Sequence, residues 1–520
     1  MGEGILKYYQ TNIKKEYKIA FLSTFFITLL IHLYKFTNTL PNHDSVYNYY
    51  TDQNILDLGR WALSTACGIS SYWDLPWING MFSCVFIALT VVMVVALLKI
   101  ENPILIGLAG ALIAASPATT ETFFFLYTAD GYMIAMFLAA MAVYLSRIEE
   151  TRISRFVLGG ICICISCGIY QAYVSFALVL SVCYFVDVLL LNNHSSQNCF
   201  KWIFRQAVIY VTALTSYYVI WKLCMRISDT VARDYQGVSD VGNISVGVLL
   251  KGLISSIKTT MLYFLQWDVF ENGFTLYSVL SCLFIIIMVV GLLISCYRSK
   301  ILKRKWASVL FVLCLVAIIP FACIWHFASD SVGYRAMMLQ SFSLLFILTA
   351  LLYERWFKTI AKNIVCLFLI VIIFNNALMA NISYFYMNLC YERTYAEGVE
   401  MMMEIHDLQD CYEINDIAII GDRLPDVQWD IFDSETGKIA PAGKIHMLSM
   451  MLETSLHINS GHTIAFLRET FGMELETVGY TRLTELTESD EVQSMGVWPA
   501  GDSITVIDHT IVIKLANEAE

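Results

Sequence analysis

Apolar runs close to 20 residues long recur along most of this chain, and no other feature constrains its fold as strongly. A helix needs about 20 apolar residues to cross the hydrocarbon core of a bilayer. Lipid offers no hydrogen bonds, so a spanning segment must satisfy its own backbone, as a helix does. The runs fall at 19–35, 75–98, 103–116, 126–146, 155–170, 172–191, 203–224, 274–297, 306–327, 336–353 and 362–386. The stretch 155–191 is too long for one crossing, and Gly168 and the polar Gln171 mark where it turns. The expected fold is a polytopic α-helical membrane protein with about 11 transmembrane helices. Bulk composition agrees: 58% of residues are hydrophobic and 15% charged, against about 45–50% and about 25% in soluble domains.

Charge gives the expected orientation. Lys7, Lys14, Lys15 and Lys18 precede the first run, and no small-x-small cleavage site follows, so the first span is expected to stay uncleaved. With the N-terminus inside, the cytoplasmic connections collect Lys99, Arg147, Arg152, Arg155, Lys201, Arg205, Arg298, Arg304 and Arg355, among others. An odd number of spans then puts the C-terminus outside. From Cys390 onward there are 25 acidic against 7 basic side chains, whereas the rest of the chain is basic. The expected division is a membrane domain, 1–389, and an extracytoplasmic α/β domain, 390–520. Within the latter, 391–408 reads as helix, 416–422 as a buried strand, and 503–515 as a hairpin turning at Asp508–His509. The outer loop 225–273 carries an amphipathic segment with Lys251 and Lys258 on one face, expected to lie on the outer membrane surface.

Several function classes are excluded. Neither half carries the basic face that nucleic acid would demand. No HExxH, Walker loop or paired CxxC motif occurs, so no metal site is expected. Cys162, Cys164 and Cys167 sit among Ile and Gly inside an apolar run, where small packing residues are the simpler reading.

Ionisable groups near membrane depth are costly and tend to mark function or a specific pair. Three groups of them fall at the outer ends of spans: "LPNHDSVYNYYTDQNILDLGRW" (40–61) with His43, Asp44, Asp52, Asp57 and Arg60; Glu121 and Asp130; and Arg335. A loop carboxylate touching headgroups, or an arginine reaching outward to water, explains any one of them. All three on one face of the membrane point to a shared cavity.

The ordered set "NHDS", "GRW" (59–61), "SPATTETFFF" (116–125), "IYQAYVSF" (169–176), "GYR" (333–335) and the closing "WPAGDSITVIDHTIVIKL" resembles the type II serotype-converting glucosyltransferases that decorate O-antigen. The resemblance runs along essentially the whole chain. It implies a polytopic glycosyltransferase of the GT-C superfamily, with a polyprenyl-phosphate sugar donor and a catalytic acid in the first outer loop. A phosphate leaving group needs no protonation, so one carboxylate suffices as general base, unlike the pair used in glycoside hydrolysis. Asp44 is the expected base: it follows Pro41, which fixes the chain's exit from the first span. Asp52 and Asp57 are expected to face water or to pair with Arg60. Arg335 and then Arg60 are expected at the donor phosphate, since guanidinium can hold phosphate bidentately. His43, Glu121, Asp130, Tyr170, Gln171 and Tyr334 complete the expected pocket. Trp61, Trp73 and Trp77 could stack on sugar, with interface anchoring the simpler role.

The expected partners are an undecaprenyl-phosphate-linked sugar, a surface glycan acceptor and the bacterial cytoplasmic membrane. The chemistry requires no cofactor and leaves room for a divalent cation. The competing readings are a non-enzymatic transporter of lipid-linked sugars and a membrane anchor for a binding domain. A transporter would be expected to show broken helices at the midplane and symmetry between halves. An anchor leaves the charges of the first loop unexplained.

Overall fold

A computed structural model describes residues 13–233, 246–265, 275–329, 332–421 and 460–517. Lys7, Asp422 and part of the 225–273 loop lie outside the described residues. The described chain divides into two compact units. One holds the residues before Thr39 together with Asp52–Asn381; the other holds Thr39–Thr51 and the chain from Ile382 on.

Helices dominate the first unit. Among the described residues, ten helices are long and apolar enough to cross a membrane: Lys15–Thr37, Pro76–Leu98, Pro117–Leu145, Tyr173–Leu191, Ser196–Ile227, Val246–Leu265, Leu276–Ser299, Lys305–Ala322, Ala336–Trp356 and Thr359–Cys411. Nine of them fall on expected runs. The expected runs at 103–116 and 155–170 form shorter apolar helices, Pro103–Ala114 and Ile153–Ile169. The tenth long helix, Val246–Leu265, is the segment expected to lie on the membrane surface; its length and composition also suit a crossing.

Local chemistry sets where these helices begin and end. Pro76, Pro103 and Pro117 open three of them, at the position where a missing N–H costs nothing. Asn102 and Ser116 cap the latter two, accepting from Ile104 N–H at 2.9 Å and Thr119 N–H at 3.4 Å. Lys99, Asn192 and Lys300 stop helices in the left-handed conformation. The break expected near Gly168 falls where foreseen: one helix ends at Ile169 and the next starts at Tyr173.

Ion pairs join the ends that carry the expected cytoplasmic cations. Arg355 pairs with the buried Asp187 and also donates to Leu98 O at 2.6 Å. Lys99 meets Glu149 at 2.7 Å, and the Tyr184 hydroxyl donates to the same carboxylate at 2.7 Å. Arg304 donates to Leu189 O at 2.9 Å. A buried carboxylate with such a partner avoids the large desolvation cost of an isolated charge.

The second unit contains four strands, β1 (Asp416–Ile420), β2 (Glu476–Thr477), β3 (Ile504–Ile507) and β4 (Thr510–Lys514), ordered β2-β1-β4-β3. β1 is parallel to both β2 and β4; β3 and β4 form an antiparallel hairpin. Its turn is Asp508–His509, with φ of 46° and 66°, the two positive values that suit the right-handed twist of a two-residue hairpin. Alternate residues of β1 and β4 enter two cores. Ile417, Ile419, Ile511 and Ile513 pack with Met401, Leu467 and Trp498, while Ala418, Ile420 and Val512 pack with Leu486 and Val492. Both faces of the central strands are therefore covered, as their unbroken apolar sequences require. Lys514 is buried, yet its ammonium donates to the carbonyls of Val492, Gln493 and Met495 at 3.0, 3.1 and 3.0 Å. It thereby caps the C-terminal end of the Asp490–Ser494 helix.

The short helix Ser45–Asn48 belongs to this second unit. Val46 packs against Phe466, with Tyr49, Tyr391, Ala465 and Phe471 around them. A piece of the loop that follows the first long helix is thus part of the core that the tail builds.

Candidate active site

In the first unit, the end of the loop that follows the first long helix closes on itself. Arg60 N–H donates to Ile55 O at 3.2 Å and Gly59 N–H to Leu56 O at 2.9 Å. Gly59 makes the turn at φ +81°, and a Cβ there would stand 2.4 Å from Tyr217 Oη and 2.8 Å from Gln171 Nε2. Only glycine meets both demands. Two side chains hold the turn: the Gln171 amide, from the break between the helices ending at Ile169 and starting at Tyr173, donates to Leu58 O at 2.7 Å, and the Trp221 indole donates to Leu56 O at 2.8 Å. Asp57 pairs with Arg233 at 2.7 Å, not in the pairing with Arg60 weighed from sequence. Asp52 accepts from Asn54 N–H at 3.1 Å in an exposed turn.

The turn delivers Arg60 to a pair of stacked tyrosines. The Tyr132 and Tyr170 rings lie 4.3 Å apart at 11°. Arg60 donates to Tyr132 Oη at 2.8 Å, and its guanidinium lies 4.8 Å from the Tyr170 ring centre, within cation–π range. Arg335 lies within electrostatic range of the same two phenols, and its guanidinium lies 5.9 Å from the Phe125 ring. Two cations from distant parts of the chain therefore address one aromatic pair. Burial holds the Tyr170 and Tyr334 phenols well above their usual range. Both remain neutral.

Glu121 is fully buried and stands at the start of the helical segment Ala336–Phe342. Its Oε2 accepts the Met337 N–H at 2.5 Å, and Arg335 lies within electrostatic range. A carboxylate at a helix N-terminus meets unpaired N–H groups and the positive end of the helix dipole. Glu121 Oε1 accepts no hydrogen bond among the described residues. Tyr334 Oη accepts from Trp325 N–H at 2.9 Å, and the Trp325 indole donates to Gln171 O at 3.1 Å. The Tyr334 ring lies 4.5 Å from that of His326.

Arg60, Glu121, Tyr170, Gln171, Tyr334 and Arg335 are thus brought into one neighbourhood. Asp130 is fully buried in a different setting, accepting from Gly131 N–H at 2.9 Å and facing Cys67 and Ser70. His43 and Asp44 belong to the second unit, 3.5 Å apart, with the His43 ring 5.4 Å from that of His462. The Asp44 side chain is 42% exposed, so a water or a substrate hydroxyl can reach it. Trp61 packs against Gly168, where a Cβ would come within 2.4 Å of the ring; Trp73 and Trp77 are about half exposed.

Sequence reasoning passed over Tyr132. It stands two residues after Asp130, and a helix turns such neighbours to different faces, so its spacing from the acid does not mark it. Asp74 was also passed over. Burial raises its carboxyl to about 6 against the pull of the Lys35 ammonium, itself buried in the last turn of the Lys15–Thr37 helix.

A family model described as Glucosyl transferase GtrII matches residues 33–342. The matched stretch contains every candidate residue above, from His43 to Arg335. No curated protein and no solved structure matches the chain.

Proposed function

Because the chain belongs to the glucosyl transferase GtrII family, we propose that it transfers glucose from an undecaprenyl-phosphate donor to a surface glycan such as O-antigen. The transfer takes place on the outer face of the bacterial cytoplasmic membrane and inverts the anomeric centre. An acceptor hydroxyl oxygen attacks the sugar's C1, the C1–O bond to phosphate breaks, and the phosphate leaves with the bonding electrons. The proton of the attacking hydroxyl passes to the Asp44 carboxylate. Arg335 and Arg60 balance the charge that builds on the departing phosphate.

The observation that carries this reading is Arg60, which its turn sets against the Tyr132–Tyr170 pair, with Arg335 in electrostatic range of both phenols. Two guanidiniums beside neutral phenols supply planar donors for phosphate and aromatic faces for a sugar or an isoprene unit. Glu121 and Gln171 act through others here: Glu121 anchors the helix that follows Arg335, and Gln171 holds the turn that bears Arg60.

The test is direct. Purified protein in lipid nanodiscs is given labelled polyprenyl-phosphate glucose with and without surface polysaccharide. Acceptor-dependent release of polyprenyl phosphate is expected. A protein that moves the intact donor across the bilayer without releasing polyprenyl phosphate would be a transporter.

A further inference from the structure

The second unit contains a cavity of about 310 Å³ between β1 and the Ser460–Phe471 helix. That is near the lower end of small-molecule pockets, roughly 300–1,000 Å³. Its wall combines apolar surface from β1 with polar groups from three other elements: Tyr47; Ser460 and Arg468, both from one helix; and Thr477.

The sheet leaves one side of β1 open there. Val478 N–H donates to Ile417 O, and Leu515 N–H donates to Ile420 O. Backbone groups alternate sides along a strand, so Ile417 and Ile419 face β2 while Ala418 and Ile420 face β4. β2 ends at Thr477, paired with Ile417. Among the described residues, no strand continues opposite Ile419, which lines the cavity and is 2% exposed. A buried backbone N–H and C=O ordinarily find partners.

We propose that this cavity takes one or two sugar residues of the acceptor glycan. A pyranose offers donors and acceptors together, which suits the Ile419 backbone, the Ser460 and Thr477 hydroxyls and the Arg468 guanidinium. Its C–H face suits a tyrosine ring. Tyr47 supplies that ring from the short helix that follows Asp44, the proposed base. A glycan held against Tyr47 therefore has its hydroxyls within about one helical turn of the Asp44 backbone position. This assignment rests on the transferase reading above and gives that reading its acceptor side.

The test uses the full-length protein in nanodiscs and the oligosaccharide repeat released from the host's own surface polysaccharide. Binding is read by saturation-transfer NMR and titration calorimetry, and turnover by release of polyprenyl phosphate. Ser460→Trp fills the cavity mouth. Arg468→Gln removes the charge while keeping a donor for Leu475 O, which Arg468 now meets at 3.3 Å. Each variant should weaken glycan binding about tenfold or more, the scale of one hydrogen bond to a charged group. Each should raise the acceptor KM to match and leave the donor KM within about twofold. Should Ser460→Trp melt far below wild type, Arg468→Gln decides alone. Glycan binding equal to wild type in the correctly folded variants overturns the assignment. Wild-type protein that binds the glycan but releases no polyprenyl phosphate overturns the transferase reading instead and leaves the binding site standing.

Discussion

Gly59 shows how much one residue can settle. A side chain there would be strained by its left-handed backbone, at about 1–2 kcal/mol, and would collide with Tyr217 and Gln171. Gly59→Ala is expected to lower the melting temperature and to weaken donor binding, because the same turn carries Arg60. Differential scanning fluorimetry and a donor titration read the two effects. Arg335→Ala should lose most donor binding, while Arg335→Lys keeps the charge without the planar fork and should stay partly active; equal donor binding in both would return Arg335 to an arginine reaching outward to water. Asp44→Asn keeps the shape but removes the basic oxygen, so turnover should fall roughly 100-fold or more with donor binding intact. Near-normal turnover in Asp44→Asn beside a dead Asp52→Asn or Asp130→Asn would move the base. The cations were legible in the sequence because charge next to an apolar run is conspicuous. Tyr132 was not, because a tyrosine at a span end reads as ordinary membrane aromatic until its stacking partner is known.

At the scale of elements, Glu121 belongs to a helix it is not part of. Glu121→Gln keeps an oxygen for Met337 N–H but removes the charge beside Arg335, so donor KM should move more than melting temperature. Glu121→Ala removes the acceptor too and should cost about 0.5–2 kcal/mol, the range of a lost helix cap. The turn Ile324–Phe327 carries a second testable group. Burial lowers the His326 imidazole to about 4. Its folded value lies below its unfolded one, near 6.5, so the unfolded chain binds more protons between the two. Stability from this group is present above about pH 6.5 and is lost as pH falls towards 4. His326→Gln, which keeps a partner for the Thr259 hydroxyl, should flatten the fall in melting temperature between pH 7 and pH 5. Asp74 is raised to about 6 and tilts the other way, so the comparison must be made with it unchanged. Helix positions were readable because apolar runs, Pro starts and left-handed stops are local. The Val246–Leu265 helix was not settled by such signals, since two lysines on an apolar helix fit both a surface and a crossing.

For the whole molecule, the native Cys411 is a ready probe of the proposed orientation. It is exposed, while the other cysteines are buried or partly so. A membrane-impermeant maleimide on intact spheroplasts should label wild type and not Cys411→Ser. Labelling that appears only after permeabilisation would place the tail in the cytoplasm and require an even number of spans. The acidic tail and its hairpin could be read from sequence, but not the recruitment of Thr39–Thr51 into the tail's unit. Contacts so remote along the chain leave no periodic trace. That recruitment also sets a clock on biosynthesis. The stretch Thr39–Thr51 is made before Phe466, against which Val46 packs, and the whole of Asp52–Asn381 must be translated between them. At about 5–20 residues per second, the loop waits on the order of 20–80 seconds without its partner. During that interval Val46 stands beside the candidate base without its packing partner. A ribosome that stalls before the tail would leave behind a membrane body that is inserted but inert.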